Sequence, residues 1–263
     1  MPDWISVVLL GIIEGITEFL PISSTGHLLI AERWLPHQTE LFNVVIQSGA
    51  VLAVIPLFRQ RCYQFLFRWR EKITQDYALK VLLAFFITSI GGFALKKSGL
   101  ELPETVMPVA LALLLGGVAF LVIEARLKGR LLRDEVTWAA SLAVGLAQLI
   151  AAALPGTSRS GASILLALLL GLSRSAATEF AFLVGIPTML AAGGYEIFKS
   201  LHQSVPGAVP EDWPIVGLGF VVSAIISFIA VKWLLHYVQT HTFNAFGWYR
   251  IGLAAVLMIL LMR

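Results

Sequence analysis

The sequence predicts an all-α polytopic membrane protein, with six transmembrane helices and two re-entrant helix hairpins set out as an inverted-topology repeat. Three observations carry that prediction. Of 263 residues, 58% are hydrophobic and 13% charged, too few polar groups to cover a soluble domain of this size. Apolar runs of spanning length recur from end to end, so the whole of 1–263 reads as one integral membrane domain with no soluble domain between spans. Two further apolar segments are broken by polar tracts that resemble each other.

The six uninterrupted spans fall at about 41–58, 78–95, 106–124, 179–198, 214–235 and 246–262. The broken segments are 4–35, interrupted by Pro21-Ile22-Ser23-Ser24-Thr25-Gly26-His27, and 137–171, interrupted by Pro155-Gly156-Thr157-Ser158-Arg159-Ser160-Gly161. Proline removes a helix donor and glycine loosens the backbone, so each tract separates two shorter helices. A helix over 25–35 rises roughly 16 Å, about half a hydrocarbon core, which suits a hairpin whose tip sits at membrane depth. Such backbone is tolerated only when buried in protein or facing a wet cavity. The plainer alternative is a single kinked spanning helix.

Both interruptions run proline, two residues, serine, then a small polar stretch with glycine, and each is followed by three spans. The halves are therefore about 1–124 and 125–263. With a re-entrant hairpin, each half crosses three times, and an odd number of crossings inverts the second half. The site is then expected at the midplane where the broken elements meet. Basic residues crowd two connections, Arg59, Arg61, Arg68, Arg70 and Lys72 in one and Arg126, Lys128, Arg130 and Arg133 in the other. Between spans these mark cytoplasmic loops rather than a nucleic-acid surface. Loops 96–105 and 199–213 and both termini then lie outside; the first hairpin opens outward and the second inward.

Cys62 is the only cysteine, which excludes an intrachain disulfide or a cysteine-rich metal site. The first residues lack a basic n-region and place Glu14 and Glu18 in the apolar stretch, so they are expected to be retained rather than cleaved as a signal.

Ionisable groups at membrane depth are costly and are usually functional. Glu14, Glu18, His27, Arg159 and Arg250 stand out. Glu14 and Glu18 are four apart on one helix face and need a proton, a cation or a metal between them; Arg159, from the other tip, is the expected partner. A purely structural ion pair joining the halves is the alternative. Ser23, Ser24 and Thr25 on one tip, and Thr157, Ser158 and Ser160 on the other, each precede a helix, whose unpaired N–H groups suit a phosphate. N-capping accounts for one hydroxyl per helix, not six beside an arginine. His27, three residues after Ser24, is placed to act on that hydroxyl as general base or acid. His37, His202, His236 and His241 form no metal-ligand spacing.

The tract Glu14-Gly15-Ile16-Thr17-Glu18-Phe19-Leu20-Pro21-Ile22-Ser23-Ser24-Thr25-Gly26-His27 and the tract Pro155 to Gly161 resemble the two signatures of the undecaprenyl-diphosphate phosphatase family, associated with bacitracin resistance. Val44-Val45-Ile46-Gln47, Ser173-Arg174 and Glu179-Phe180 are similar as well, so the resemblance covers nearly the whole chain. It implies loss of the terminal phosphate from undecaprenyl diphosphate, a carrier lipid of peptidoglycan synthesis, at a bacterial inner membrane with the site facing outward. It further implies Glu14 and Glu18 as the paired acidic motif, Ser24 as nucleophile, His27 as acid/base and Arg159 as phosphate ligand. Ser23, Thr25, Ser158, Ser160 and Gln47 would contact phosphate. Stimulation by a divalent cation and a homodimer are also implied; Glu14 and Glu18 either hold that cation, Mg2+ or Ca2+, against the diphosphate or orient His27, and the sequence leaves both open. Asn43 departs from the acidic residue common in the family and is given no role.

Two routes stay open: a phosphoseryl intermediate on Ser24, or a metal-activated water. Inverted repeats with broken helices are also the mark of secondary transporters, so a flippase of a phosphate-bearing polyprenyl lipid is the second reading. A non-catalytic scaffold ranks last, because buried charge is an expensive way to build one.

Overall fold

The structure, a computed structural model, describes residues 3–31, 33–99, 105–202 and 212–261. Among these residues it is helical, with a lone bridge between Arg133 and Leu172. The helices are α1 (Asp3–Thr17), α2 (Ser24–Ala31), α3 (Glu40–Val54), α4 (Arg59–Phe67), α5 (Lys72–Ser98), α6 (Val106–Leu127), α7 (Trp138–Ala153), α8 (Arg159–Leu169), α9 (Arg174–His202), α10 (Trp213–Thr240) and α11 (Asn244–Leu261).

Local chemistry fixes several ends. Thr39 accepts from the Phe42 N–H and Thr137 from the Ala140 N–H, both at 3.1 Å, so each satisfies a donor the helix start leaves open. Gly99, at φ +67, ends α5 in the left-handed conformation. Pro56 lies in a 3-10 turn, Ile55–Phe58, through which α3 continues into α4. The first span therefore runs on past the apolar window. Hydropathy sees only the apolar part, and the connection expected at 59–77 is itself largely helical.

Five helical runs are long and apolar enough to cross a membrane: Glu40–Phe67, Lys72–Ser98, Val106–Leu127, Arg174–Ser200 and Trp213–Thr240. The sixth expected span corresponds to α11, which is shorter at 18 residues. Residue 262 and most of the outer loops expected at 96–105 and 199–213 lie outside the described residues. Along α5, Leu82, Phe86, Ile90 and Phe93 face outward; so do Leu111, Leu115, Val118 and Val122 on α6, and Val221, Ile225 and Ile229 on α10. Apolar stripes of that extent on several helices are surfaces for lipid. The molecule is a multi-pass membrane protein.

Helix pairs repeat across the chain. α1 packs on α10 and α7 on α5, α3 lies against α9 and α10, and α6 pairs with α11. Small residues bring the backbones together where lipid offers no hydrophobic drive. A Cβ on Gly15 would stand 2.7 Å from the Ser223 carbonyl oxygen, and one on Gly117 would stand 2.7 Å from that of Gly247.

The two short helices take opposite directions along α6. Gly26, early in α2, meets Leu113, while Leu29 and Ile30 pack in the cluster that includes Val106 and Val109. On α8, Gly161 sits by Arg250, and Leu165 and Leu166 share a groove with Ala119 and Ile123 farther down α6. The starts of α2 and α8 consequently meet near the middle of the bundle.

Candidate active site

Each tip turns through a strained serine. Ser23 has φ +70 and Ser158 φ +67, the only non-glycine residues with positive φ among those described. Such backbone costs energy and persists where surroundings hold it. Each serine immediately precedes its short helix. The Ser158 hydroxyl caps α8 by accepting from the Gly161 N–H at 3.1 Å, and the Ser23 hydroxyl stands 3.5 Å from the Gly26 nitrogen. Ser23 thus corresponds to Ser158, and Ser24 to Arg159, each the first residue of its helix. Proline-to-serine spacing suggested pairing Ser24 with Ser158; the fold shifts the match by one residue, because the second tip carries one more residue between proline and cap.

A cavity of about 310 Å³ lies between the tips, lined by Glu18, Ser23, Ser24, Thr25, Gln47, Ala151, Ala152, Pro155, Gly156, Ser158 and Arg159. A second, of about 440 Å³, shares Ser24, Thr25 and Gln47 with it and reaches Glu14 and the beginning of α3 at Glu40 and Asn43. Serine and arginine, 135 positions apart in the chain, face one space.

The Ser24 hydroxyl donates to Glu18 Oε2 at 2.9 Å. Glu18 is 9% exposed and Glu14 3%, so both carboxyls are buried. Glu14 is within hydrogen-bonding reach of Glu18 and of the Gln47 side chain, and within electrostatic reach of Arg159. Two carboxyls that close require a proton or a cation between them. Ser160 donates to the Leu20 carbonyl at 3.2 Å and lies 3.1 Å from the Ser158 hydroxyl, tying the second tip to the first. Thr157 lines the apolar groove beside α6 rather than the polar cavity.

His27 is placed differently from the sequence expectation. Its Nδ1 lies 2.7 Å from the Ser23 carbonyl oxygen and its Nε2 2.7 Å from the Tyr249 hydroxyl, with the two rings stacked. The expected Ser24–His27 hydrogen bond gives way to Ser24–Glu18. The left-handed turn at Ser23 brings the first residue of α2 back to the end of α1, while His27, one turn on, meets α11.

Arg250 is the residue whose role sequence could not give. It is fully buried, and its guanidinium donates to five carbonyls: Pro21 at 3.2 Å, Gly156 at 3.3 Å, Thr157 at 3.1 Å, Ala112 at 3.1 Å and Leu113 at 3.4 Å. Those belong to both tips and α6. The only signal was a charge inside an apolar run, since carbonyl acceptors leave no mark in sequence. Tyr249 likewise had none.

Gly156 fits tightly here. Its φ is +87, and a Cβ would stand 2.7 Å from the Val109 Cα and carbonyl oxygen. Gly156→Ala is expected to cost about 1–3 kcal/mol, by strain and displacement of the tip. A lowered Tm in detergent, with phosphate-ligand binding weakened in parallel, checks it.

Among the described residues no group of three or more His, Cys, Asp or Glu is placed to hold a metal ion. Glu14, Glu18 and the Gln47 amide do present oxygen donors to the joined cavities, the donor type that hard cations prefer.

Buried carboxyls, hydroxyls and an arginine enclosed by apolar helices define a multi-pass membrane protein with a charged cavity inside its bundle. Residues 7–256 match the family described as bacitracin resistance protein BacA, and the chain belongs to that family. It is similar to a protein of Rhizobium etli (strain CIAT 652) named undecaprenyl-diphosphatase, at 51% identity over 257 residues, 97% of this chain and 96% of the relative. A protein of the same name from Xanthomonas oryzae pv. oryzae (strain PXO99A) is 51% identical over 261 residues, 98% of this chain and 97% of its own.

Proposed function

We propose that this chain removes the terminal phosphate of undecaprenyl diphosphate, giving undecaprenyl phosphate and inorganic phosphate. Recycling of that carrier lipid for cell-wall synthesis would confer resistance to bacitracin, as the family's name suggests. The relatives' shared name supports the substrate. The observation that carries the chemistry is the Ser24 hydroxyl, hydrogen-bonded to a buried carboxylate and facing Arg159 across one cavity.

The terminal phosphate enters with its oxygens toward Arg159 and the open N–H groups of α2 and α8. Phosphoryl transfer is mainly positioning and electrostatics, and these donors meet the charge that gathers on the transferring group. Ser24 Oγ attacks phosphorus in line as Glu18 takes its proton. The bridging P–O bond breaks, and undecaprenyl phosphate departs with the electron pair. A phosphate monoester has a second pKa of about 6, so it leaves without an acid at its oxygen. Water then attacks the phosphoserine, the P–Oγ bond breaks as Glu18 returns its proton to Ser24 Oγ, and inorganic phosphate leaves carrying the protons of the attacking water. Glu14 and Gln47 hold Glu18 in place. His27, anchored on Ser23 and Tyr249, fixes the tip and keeps a proton carrier one turn from the reaction. A Mg2+ or Ca2+ bound by Glu14 and Glu18 would neutralise diphosphate charge.

The fold is best read as an inverted repeat with two re-entrant hairpins. Supporting this are the reciprocal pairs α1–α10 and α7–α5, the matched left-handed serines, and the opposite courses of α2 and α8. The joined cavity reaches the start of α3, at the end of that span opposite the basic connection of 59–72. By the positive-inside bias it opens to the outer face of a bacterial inner membrane.

The test is phosphate release from undecaprenyl diphosphate by purified protein in detergent. Wild type is expected to turn over, and Glu18→Gln to lose about 10²–10⁴-fold in kcat, the range of general-base catalysis. Binding without release by the wild type would favour the flippase reading.

A further inference from the structure

The charged cavity accounts for a diphosphate but not for the rest of such a lipid. Beside it lies a second space of quite different character. A groove of about 610 Å³ runs between α6, α7 and α8, and its lining is almost wholly apolar, including Leu111, Leu115, Ala119, Ile123, Ile150 and Leu166. Pro155 lines both spaces, so the groove and the polar cavity are neighbours at the second tip. Leu111, Leu115, Ile150 and Leu154 are outward-facing, which leaves the groove open sideways to lipid. Its floor is made by Gly116 and small residues at Ala112, Ala119, Ala147 and Ala162.

Resting on the phosphatase reading, we propose that this groove seats the first isoprene units of the polyprenyl chain and so makes the enzyme select long-chain diphosphates. Three features favour that occupant over an ordinary bilayer lipid. The groove adjoins the phosphate cavity at Pro155 on the second tip, next to where a chain joined to a bound diphosphate would emerge. Its walls offer almost no polar partner, as a hydrocarbon without headgroup requires. It follows α6 from Met107 to Ile123, a rise of roughly 24 Å at 1.5 Å per residue, a channel shape that suits an extended branched chain.

Position along α6 then measures chain length. Ala112 lies near the second tip, and Ala119 is two turns farther, roughly 10 Å away. Ala119→Phe is expected to block the far groove and Ala112→Phe the near groove. Ile90→Trp on α5 and Ile229→Trp on α10, both outward-facing elsewhere, serve as controls.

The experiment measures kcat and KM for undecaprenyl, farnesyl and isopentenyl diphosphates with wild type, the two groove variants and the two controls, after checking folding by Tm. Ala119→Phe should raise KM for the undecaprenyl substrate roughly tenfold, about 1.4 kcal/mol, and leave both short substrates unchanged. Ala112→Phe should extend the penalty to farnesyl diphosphate. The controls should change nothing. Equal KM for all three substrates in the groove variants, or the same penalty in the controls, overturns the proposal and assigns the groove to bulk lipid. A parallel readout keeps it separate from the activity: a polyprenyl phosphate carrying a photoreactive group in its first isoprene units should crosslink to α6, α7 or α8. Crosslinking there with no hydrolysis by wild type would sink the phosphatase reading and leave the seat intact; hydrolysis with crosslinks only elsewhere would do the reverse.

Discussion

Ser24→Ala is expected to reduce phosphate release from undecaprenyl diphosphate by at least about 10³-fold, with substrate binding little changed. The hydroxyl is the atom that attacks, and removing a nucleophile leaves only positioning and charge to lower the barrier, a residual that can still exceed the uncatalysed rate. The loss should therefore appear in kcat rather than KM. Acid quenching of wild type with substrate labelled in its terminal phosphate should place label on Ser24, and Glu18→Gln should slow appearance of that label. Ser23→Gly makes the contrast. Glycine accepts φ +70 without strain, and the Ser23 hydroxyl does not touch Glu18, so activity should stay within about tenfold of wild type. If Ser24→Ala keeps more than a tenth of the rate, the serine route fails and a water activated at Glu14 and Glu18 takes its place.

Arg250→Ala is expected to be the most destabilising single change in the bundle, and to stop turnover without touching the reacting atoms. Five carbonyls lose their donor in a place water reaches poorly, and a buried unsatisfied polar group costs about 1–3 kcal/mol. The losses are not additive, since the tips relax apart, but a total of about 3–5 kcal/mol is in the range for a buried network broken from one side. Arg250→Lys should rescue poorly. One ammonium has three donors at a point, where the guanidinium has five in a planar fork spanning two tips and α6. Gly116→Ala gives an independent check, because its Cβ would collide with the Arg250 guanidinium at Nη2. Both variants should lower Tm, and both should weaken phosphate binding as well as kcat, since Ser24 and Arg159 no longer share a cavity. A normal Tm with Arg250→Ala would mean that the tips are held by other contacts.

Much of this could be read before any coordinates. Hydropathy located the spans because lipid demands long apolar stretches, and it missed their true ends because helices such as α5 run on through basic and polar residues where the apolar signal stops. The tips were marked by Pro21, Pro155 and clustered hydroxyls, residues with distinct backbone consequences. Their meeting around one cavity was the expectation that came from reading the two halves as an inverted repeat. The partner of Ser24 was not legible. Helical spacing points to His27, and both residues do lie on α2, but the His27 ring is taken up by the Ser23 carbonyl and the Tyr249 hydroxyl while the Ser24 hydroxyl turns to Glu18, partners that spacing along one helix does not register. Nor could the Arg250 contacts be foreseen, because all are with backbone oxygens, which every residue has.

The opposite courses of α2 and α8 have an electrostatic consequence. Each helix start carries about half a positive charge. Two such poles facing each other add their potentials in the space between, while their forces along the line joining them oppose. A phosphate between them is attracted by both helix starts at once, and because the two pulls oppose, the gain in binding is shared by the two tips that line the cavity.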